Sequence, residues 1–262
     1  VLTEAALLAL EHIGQGLQRT VVGTGDGTAA AAVVDQGVHS LLQHTLFVAD
    51  DDVRSVQLNQ EYDHLEAPGL KIRRGMEFGM TVDNREQFKI DLARRPFDFV
   101  LGSVHFADDL DVYYTEYWQD KTVFQAERRY LETTLECVQL HDDFDVLAHL
   151  TYIGKARCHI AHRPVPFNEH RELIDEILRV VARKGKGLEM NTSGLGRCGD
   201  FLPSADYFRR FKELGGEIIT VGSDAHTSDR VGEHTFRACE ILKDIFGYVC
   251  TFEGRKPIFH KL

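Results

Sequence analysis

The residues best placed to do chemistry lie in Gly222-Ser223-Asp224-Ala225-His226, a carboxylate and an imidazole two positions apart at the close of an apolar run. In extended backbone, residues i and i+2 point the same way, so Asp224 and His226 reach one point that could hold a metal ion. Taken alone, the stretch reads equally well as an aspartate capping the next helix, followed by a loop histidine. The layout recurs, however. Phe99-Val100-Leu101-Gly102-Ser103-Val104-His105 and Asp145-Val146-Leu147-Ala148-His149 are further apolar runs closing on histidine, and Lys71-Ile72-Arg73-Arg74-Gly75-Met76-Glu77 closes on a carboxylate. Four strand-like segments thus each deliver His, Asp or Glu at the same end. Imidazole mixed with carboxylate suits zinc, iron or manganese, whereas an all-oxygen magnesium site would not use several histidines.

Elements able to position these groups follow from the pattern. Residues 217–221 are a β-branched run entered through Gly215-Gly216 and read as a buried strand. Further strands are expected at 97–101, 144–150 and 187–191, with 248–252 as a closing strand. Helices are expected at 85–95, where Pro96 forces a stop, at 122–140, at 169–184, at 204–214 with Ser204 as N-cap, and at 229–246. Strand and helix alternate from Glu77 onward, as an α/β barrel requires, and barrels build their sites at the strands' carboxyl ends. Residues 107–120, acidic and aromatic, are expected to form a long loop over the mouth. His141 precedes its strand and so falls at the wrong end for a ligand, while His159, His162 and His170 read as solvated loop residues. Upstream, residues 3–17 suggest a helix and 29–34 a helix or a strand. The glycine cluster at 23–28 lacks the Gly-Lys-Ser/Thr ending of a P-loop.

At 262 residues the chain is long enough for one large domain. Acidic residues outnumber basic ones by 41 to 30, and the formal net charge of -11 disfavours adhesion to nucleic acid or an anionic membrane. An anionic substrate would therefore need a local cationic pocket. No apolar stretch approaches the ~20 residues needed to cross a bilayer, so a cytoplasmic protein is expected. Five scattered cysteines with no close CxxC pair argue against a disulfide framework or a thiolate zinc site.

The chain resembles the polymerase-and-histidinol-phosphatase (PHP) superfamily, in its histidinol-phosphate phosphatase branch. The resemblance rests on Gly75-Met76-Glu77, Gly102-Ser103-Val104-His105, Leu147-Ala148-His149-Leu150, Glu189-Met190-Asn191-Thr192-Ser193-Gly194-Leu195 and Gly222-Ser223-Asp224-Ala225-His226, in that order across residues 61–262. It implies a distorted (β/α)7 TIM-like barrel, a single domain over 1–262 with residues 1–45 atypical. It also implies a trinuclear metal centre at the mouth, where activated water attacks phosphorus. Glu77 would be the bridging carboxylate, His105 and His149 ligands of one metal, Asp224 and His226 ligands of the others. The same resemblance casts Glu77, Asp224 and His226 as catalytic. His39 would be the survivor of a His-x-His pair whose first position is Gly37, which cannot ligate. The family's Glu-His element has no clear counterpart, and His44 and His64 read more readily as surface histidines. Zinc, iron or manganese, up to three per chain and fewer if Gly37 costs a site, are the implied cofactors. Arg197, Lys155 and Arg230 are candidates for the substrate phosphate, Arg197 first for its bidentate geometry. The implied activity is metal-dependent hydrolysis of L-histidinol phosphate or a similar small phosphate ester. Two alternatives stay open: a non-catalytic or impaired relative with an incomplete metal site, and a phosphodiesterase or nuclease on the same barrel.

Overall fold

The computed structural model describes residues 29–34, 44–50, 70–94, 96–156, 163–226 and 228–262. Residues 3–17, the glycine cluster, His39, His64, His159 and His162 lie outside them. In chain order the strands and helices are β1 (Ala29–Val34), β2 (His44–Asp50), β3 (Leu70–Gly79), α1 (Arg85–Ala93), β4 (Phe99–Ser103), β5 (Phe106–Ala107), β6 (Leu110–Asp111), α2 (Val123–Leu140), β7 (Val146–Leu147), α3 (Arg171–Arg183), β8 (Gly187–Asn191), α4 (Ala205–Glu213), β9 (Ile219–Gly222), α5 (Thr235–Ile245), β10 (Tyr248–Glu253) and β11 (Lys256–Lys261).

Seven strands form one sheet in the order β1-β2-β3-β4-β7-β8-β9. Every pair is parallel except β1 with β2, which is antiparallel. Edge strands β1 and β9 come within 8 Å between Cα atoms, but no ladder joins them among the described residues. The result is an α/β fold on a curled, mainly parallel sheet, which differs from a barrel closed by backbone pairing.

The two-residue alternation of a strand sorts its side chains between two faces. Val100 of β4, Leu147 of β7, Leu188 and Met190 of β8, and Ile219 and Val221 of β9 join the large core under the helices. Phe78 of β3 stacks on Phe88 of α1 with ring centroids 3.9 Å apart. Gly102 of β4 is a packing requirement here, since a Cβ would come within 2.9 Å of Met80 Sδ and of Phe144. The opposite face is different. Phe99, Leu101, Val146, Ala148 and Phe252 make a small apolar cluster there, and beyond it the inward positions turn polar, with Glu77, Glu189 and Asn191 all buried.

Helix α2 starts on a capping box, Thr122 Oγ1 accepting from Gln125 N and the Gln125 side chain from Thr122 N. Ser204 occupies the N-cap position of α4 but forms no side-chain cap bond. Three sequence-based expectations need correction. The expected 229–246 helix is shorter, because Gly232 and His234 take positive φ values of 75° and 61° and break the chain between a 3-10 turn and α5. The expected closing strand pairs instead with β11, a separate antiparallel hairpin whose Phe252 seals the small cluster against Phe99, rings 4.8 Å apart. The 107–120 segment is no open loop: it carries the β5–β6 hairpin, and Tyr117 and Trp118 are buried, with Tyr117 Oη donating to Ala126 O and Trp118 Nε1 to Val112 O.

Candidate active site

Glu77 lies on β3, with Leu101 of β4 as its register partner. His105 follows the end of β4 by two residues, and His149 follows β7 by two. Parallel strands in register put these positions at one end of the sheet, and the side chains converge. His149 Nε2 is 2.9 Å from Glu77 Oε1, His105 Nε2 is 3.5 Å from the same oxygen, and the two Nε2 atoms are 3.4 Å apart. Ligands about 2.0–2.1 Å from a tetrahedral zinc lie roughly 3.3 Å from one another, so the three donors have the spacing and chemistry of a metal site.

The surroundings hold that triad in place. His149 sits at φ 22°, a backbone region costly for a residue with a side chain, on the order of 1–3 kcal/mol. Its N–H donates to Glu189 Oε2 at 3.0 Å and its carbonyl accepts from Tyr152 N at 2.7 Å. The Tyr152 ring packs against both imidazoles, with centroids 4.5 Å from His105 and 5.1 Å from His149, and Tyr113 lies behind it at 6.4 Å. Glu189 is fixed from the other side: Gly222 passes so close that a Cβ there would come within 2.0 Å of Glu189 Oε1. The glycines before Ser103 and Ser223 thus answer to different neighbours, one in the core and one in the site.

Asp224 and His226 also meet, Oδ1 to Nε2 at 3.2 Å. The route differs from the extended one read in the sequence. Asp224 has φ 49°, so a left-handed turn, not strand alternation, brings the pair together. Asp224 Oδ2 accepts from Lys155 Nζ at 2.7 Å, and Lys155 also donates to Ser193 Oγ at 2.9 Å. Among the described residues Asp224 makes no helix-capping bond.

Charge binds the two clusters into one site. Burial pushes Glu77 up, but the adjacent His149 and His105 outweigh it and hold the carboxyl below its ordinary range, with Asp224 opposing them. Burial likewise works against ionised Asp224, yet Lys155 and His226 hold it well below the usual value. Burial and the neighbouring His149 push His105 down to about 4, which leaves its imidazole neutral and its lone pair free near neutral pH. Burial also works against a charged His149, but Glu77, then Glu189 and Asp224, raise it above the ordinary histidine value. Glu189 is pushed up to about 7, chiefly by burial.

Of the three phosphate candidates, Lys155 is the one in contact with Asp224 and Ser193. Arg197 is exposed on the turn after β8 and makes no side-chain hydrogen bond or ion pair among the described residues. Arg230 is half-exposed and donates to Glu233 Oε2 at 2.7 Å. His39 falls outside the described residues, and so does the side chain of His44. His141 does lie away from the triad, its Nε2 2.8 Å from Thr81 O. The solvated reading of His170 is wrong. It is buried, its Nε2 3.1 Å from the buried Glu127, and Phe124 stacks on its ring. Cys137, Cys198, Cys239 and Cys250 are buried and form no disulfide among the described residues.

Sequence reasoning passed over Glu189, Tyr152 and Ser193 as members of the site. Period-two alternation was the available signal for Glu189, which shares the inward face of β8 with Asn191.

The PHP domain family model matches residues 24–193. The chain belongs to the PHP domain family. Within it, this PHP-domain protein stands in the histidinol-phosphatase branch. It is 33 % identical over 202 residues to the histidinol-phosphatase of Lactococcus lactis, covering 75 % of each chain. It is 33 % identical over 193 residues to a probable histidinol-phosphatase of Clostridium acetobutylicum, 72 % of this chain and 71 % of that one. Its fold matches the crystal structure of histidinol phosphate phosphatase from Lactococcus lactis complexed with zinc, L-histidinol and phosphate. That match has a TM-score of 0.65 and 31 % identity over 78 % of this PHP-domain chain and 77 % of the other. Among the described residues, no helix is long and apolar enough to cross a membrane.

Proposed function

We propose that this PHP-domain chain is a metal-dependent phosphomonoesterase that hydrolyses L-histidinol phosphate, or a small phosphate ester like it, to the alcohol and phosphate. The observation that carries the reading is the meeting of Glu77, His105 and His149 donor atoms at the ends of three neighbouring strands. We read the curled sheet as most of a distorted (β/α)7 TIM-like barrel, a single domain with this site at its mouth.

Zinc, iron or manganese fits the donor set, up to three ions per chain. A divalent metal there supplies neutralisation of phosphate charge and a water acidic enough to serve as nucleophile near pH 7. The chain's own groups do the rest. Glu77, His105 and His149 would offer ligand atoms to a metal, and Asp224 and His226 would extend the set. Glu189 holds the His149 backbone, and Tyr152 fixes the planes of both imidazoles by packing. Lys155 brings an ammonium to the place where an anionic ester must sit. Arg197, exposed on the turn after β8, is the second candidate for the phosphate, and Arg230, engaged with Glu233, the third. His39, outside the described residues, would add a further ligand.

The test is phosphate release from L-histidinol phosphate by protein stripped with EDTA and then given zinc or manganese, beside a phosphodiester control. Release that disappears with EDTA, returns with metal and is absent on the diester is expected. A reconstituted protein that leaves the monoester intact overturns the reading.

A further inference from the structure

The Lys155 ammonium lies within the site, not on its rim. Its side chain is 13 % exposed and that of its partner Asp224 10 %, and their contact is 2.7 Å. Ser193 Oγ lies 3.0 Å from the same Asp224 oxygen and is itself held by Lys155 at 2.9 Å. Oδ2 of Asp224 is therefore engaged twice, and Oδ1 alone faces His226. Lys155 Nζ is also 5.6 Å from the Tyr152 ring centroid, the same ring that packs on His105 and His149. One lysine thus sits at the junction of the two ligand groups.

We propose that Lys155 is a built-in monovalent cation that divides the site into unequal halves: Glu77, His105 and His149 take one divalent metal tightly, while Asp224 and His226 take a second only weakly, against the resident ammonium. This rests on the metal-dependent reading above. The first half offers three donor atoms within 4.8 Å of one another, and two of the residues, Glu77 and His149, are buried. The second half offers one carboxylate oxygen and one imidazole, and His226 is 42 % exposed at its side chain. A cation arriving at Oδ1 would meet a positive charge already bound to the other oxygen of the same carboxylate. Like charges held this close repel strongly where water is scarce. Lys155 thereby supplies, as part of the chain, positive charge that a more weakly held ion would otherwise bring.

Zinc titration calorimetry on the 262-residue chain after EDTA stripping tests this. Wild type is expected to bind one zinc tightly and a second at least tenfold more weakly. Lys155→Met and Lys155→Gln, two neutral replacements, should each tighten the second event at least tenfold and leave the first unchanged, whereas His149→Ala removes the first. Wild type with no tight zinc, or with two equally tight ones, overturns the proposal, and so do neutral variants whose isotherms match wild type. Turnover of L-histidinol phosphate, measured alongside on the wild type, separates the two readings. Divided isotherms without turnover refute the phosphatase assignment alone, and turnover with undivided isotherms refutes the role of Lys155 alone.

Discussion

Replacing Glu189 by glutamine should make the metal-stripped protein more stable, and increasingly so as pH rises. Glu189 is 3 % exposed, its Oε2 accepts from His149 N at 3.0 Å and from Asn191 Nδ2 at 3.3 Å, and burial pushes its carboxyl from 4.5 up to about 7. The folded chain then holds this proton more tightly than the unfolded chain does. Its stabilising contribution is complete below about pH 4.5 and is lost as pH climbs toward 7. A shift of roughly 2.5 pH units at 1.36 kcal/mol each corresponds to about 3 kcal/mol at pH 8, and to less than about 1 kcal/mol at pH 5. Glutamine keeps an acceptor for the His149 N–H and has no proton to lose. Urea denaturation of both proteins in EDTA at pH 5, 6, 7 and 8 should show the variant's advantage opening from under about 1 to about 3 kcal/mol. A gap that stays constant with pH, or a variant less stable at pH 8, would refute the reasoning.

Glu77→Ala should lose more turnover than the roughly 10–100-fold typical of residues that merely support metal ligands, while far-UV circular dichroism stays that of a folded chain; near-wild-type rates would remove Glu77 from the site. Because His149 is raised above the ordinary histidine value, zinc must displace its proton. Zinc binding should therefore release protons and weaken as pH falls; calorimetry in two buffers of different ionisation enthalpy reads this, and identical heats would contradict it. Glu127→Ala leaves the buried His170 without its partner and removes an Arg163 contact of 2.8 Å. A loss of about 2–4 kcal/mol in urea unfolding is expected, and a loss within experimental error would show that the network contributes little.

The sequence by itself determined the main alternation of strands and helices from Glu77 onward, though not the β5–β6 hairpin or β11, because periodicity, Gly-Gly, Pro96 and the strand-end polar residues are local signals. It also determined that Glu77, His105, His149, Asp224 and His226 stand at equivalent strand ends, since parallel strands in register need only end alike to bring them near. Three-dimensional packing decided the rest. The left-handed turn at Asp224 depends on contacts with Lys155 and Ser193, far away in the chain. The break before α5 and the pairing of β10 with β11 are choices between alternatives that composition leaves equal. Glu189 looks like a strand carboxylate until Gly222 and the His149 backbone close around it. His170 looks like a loop histidine until Glu127 and Phe124 enclose it. Arg197 and Lys155 are both cations near strand ends, and only the fold shows which one reaches Asp224. A charge's surroundings are set by neighbours tens of residues distant, and one-dimensional patterns do not carry that information.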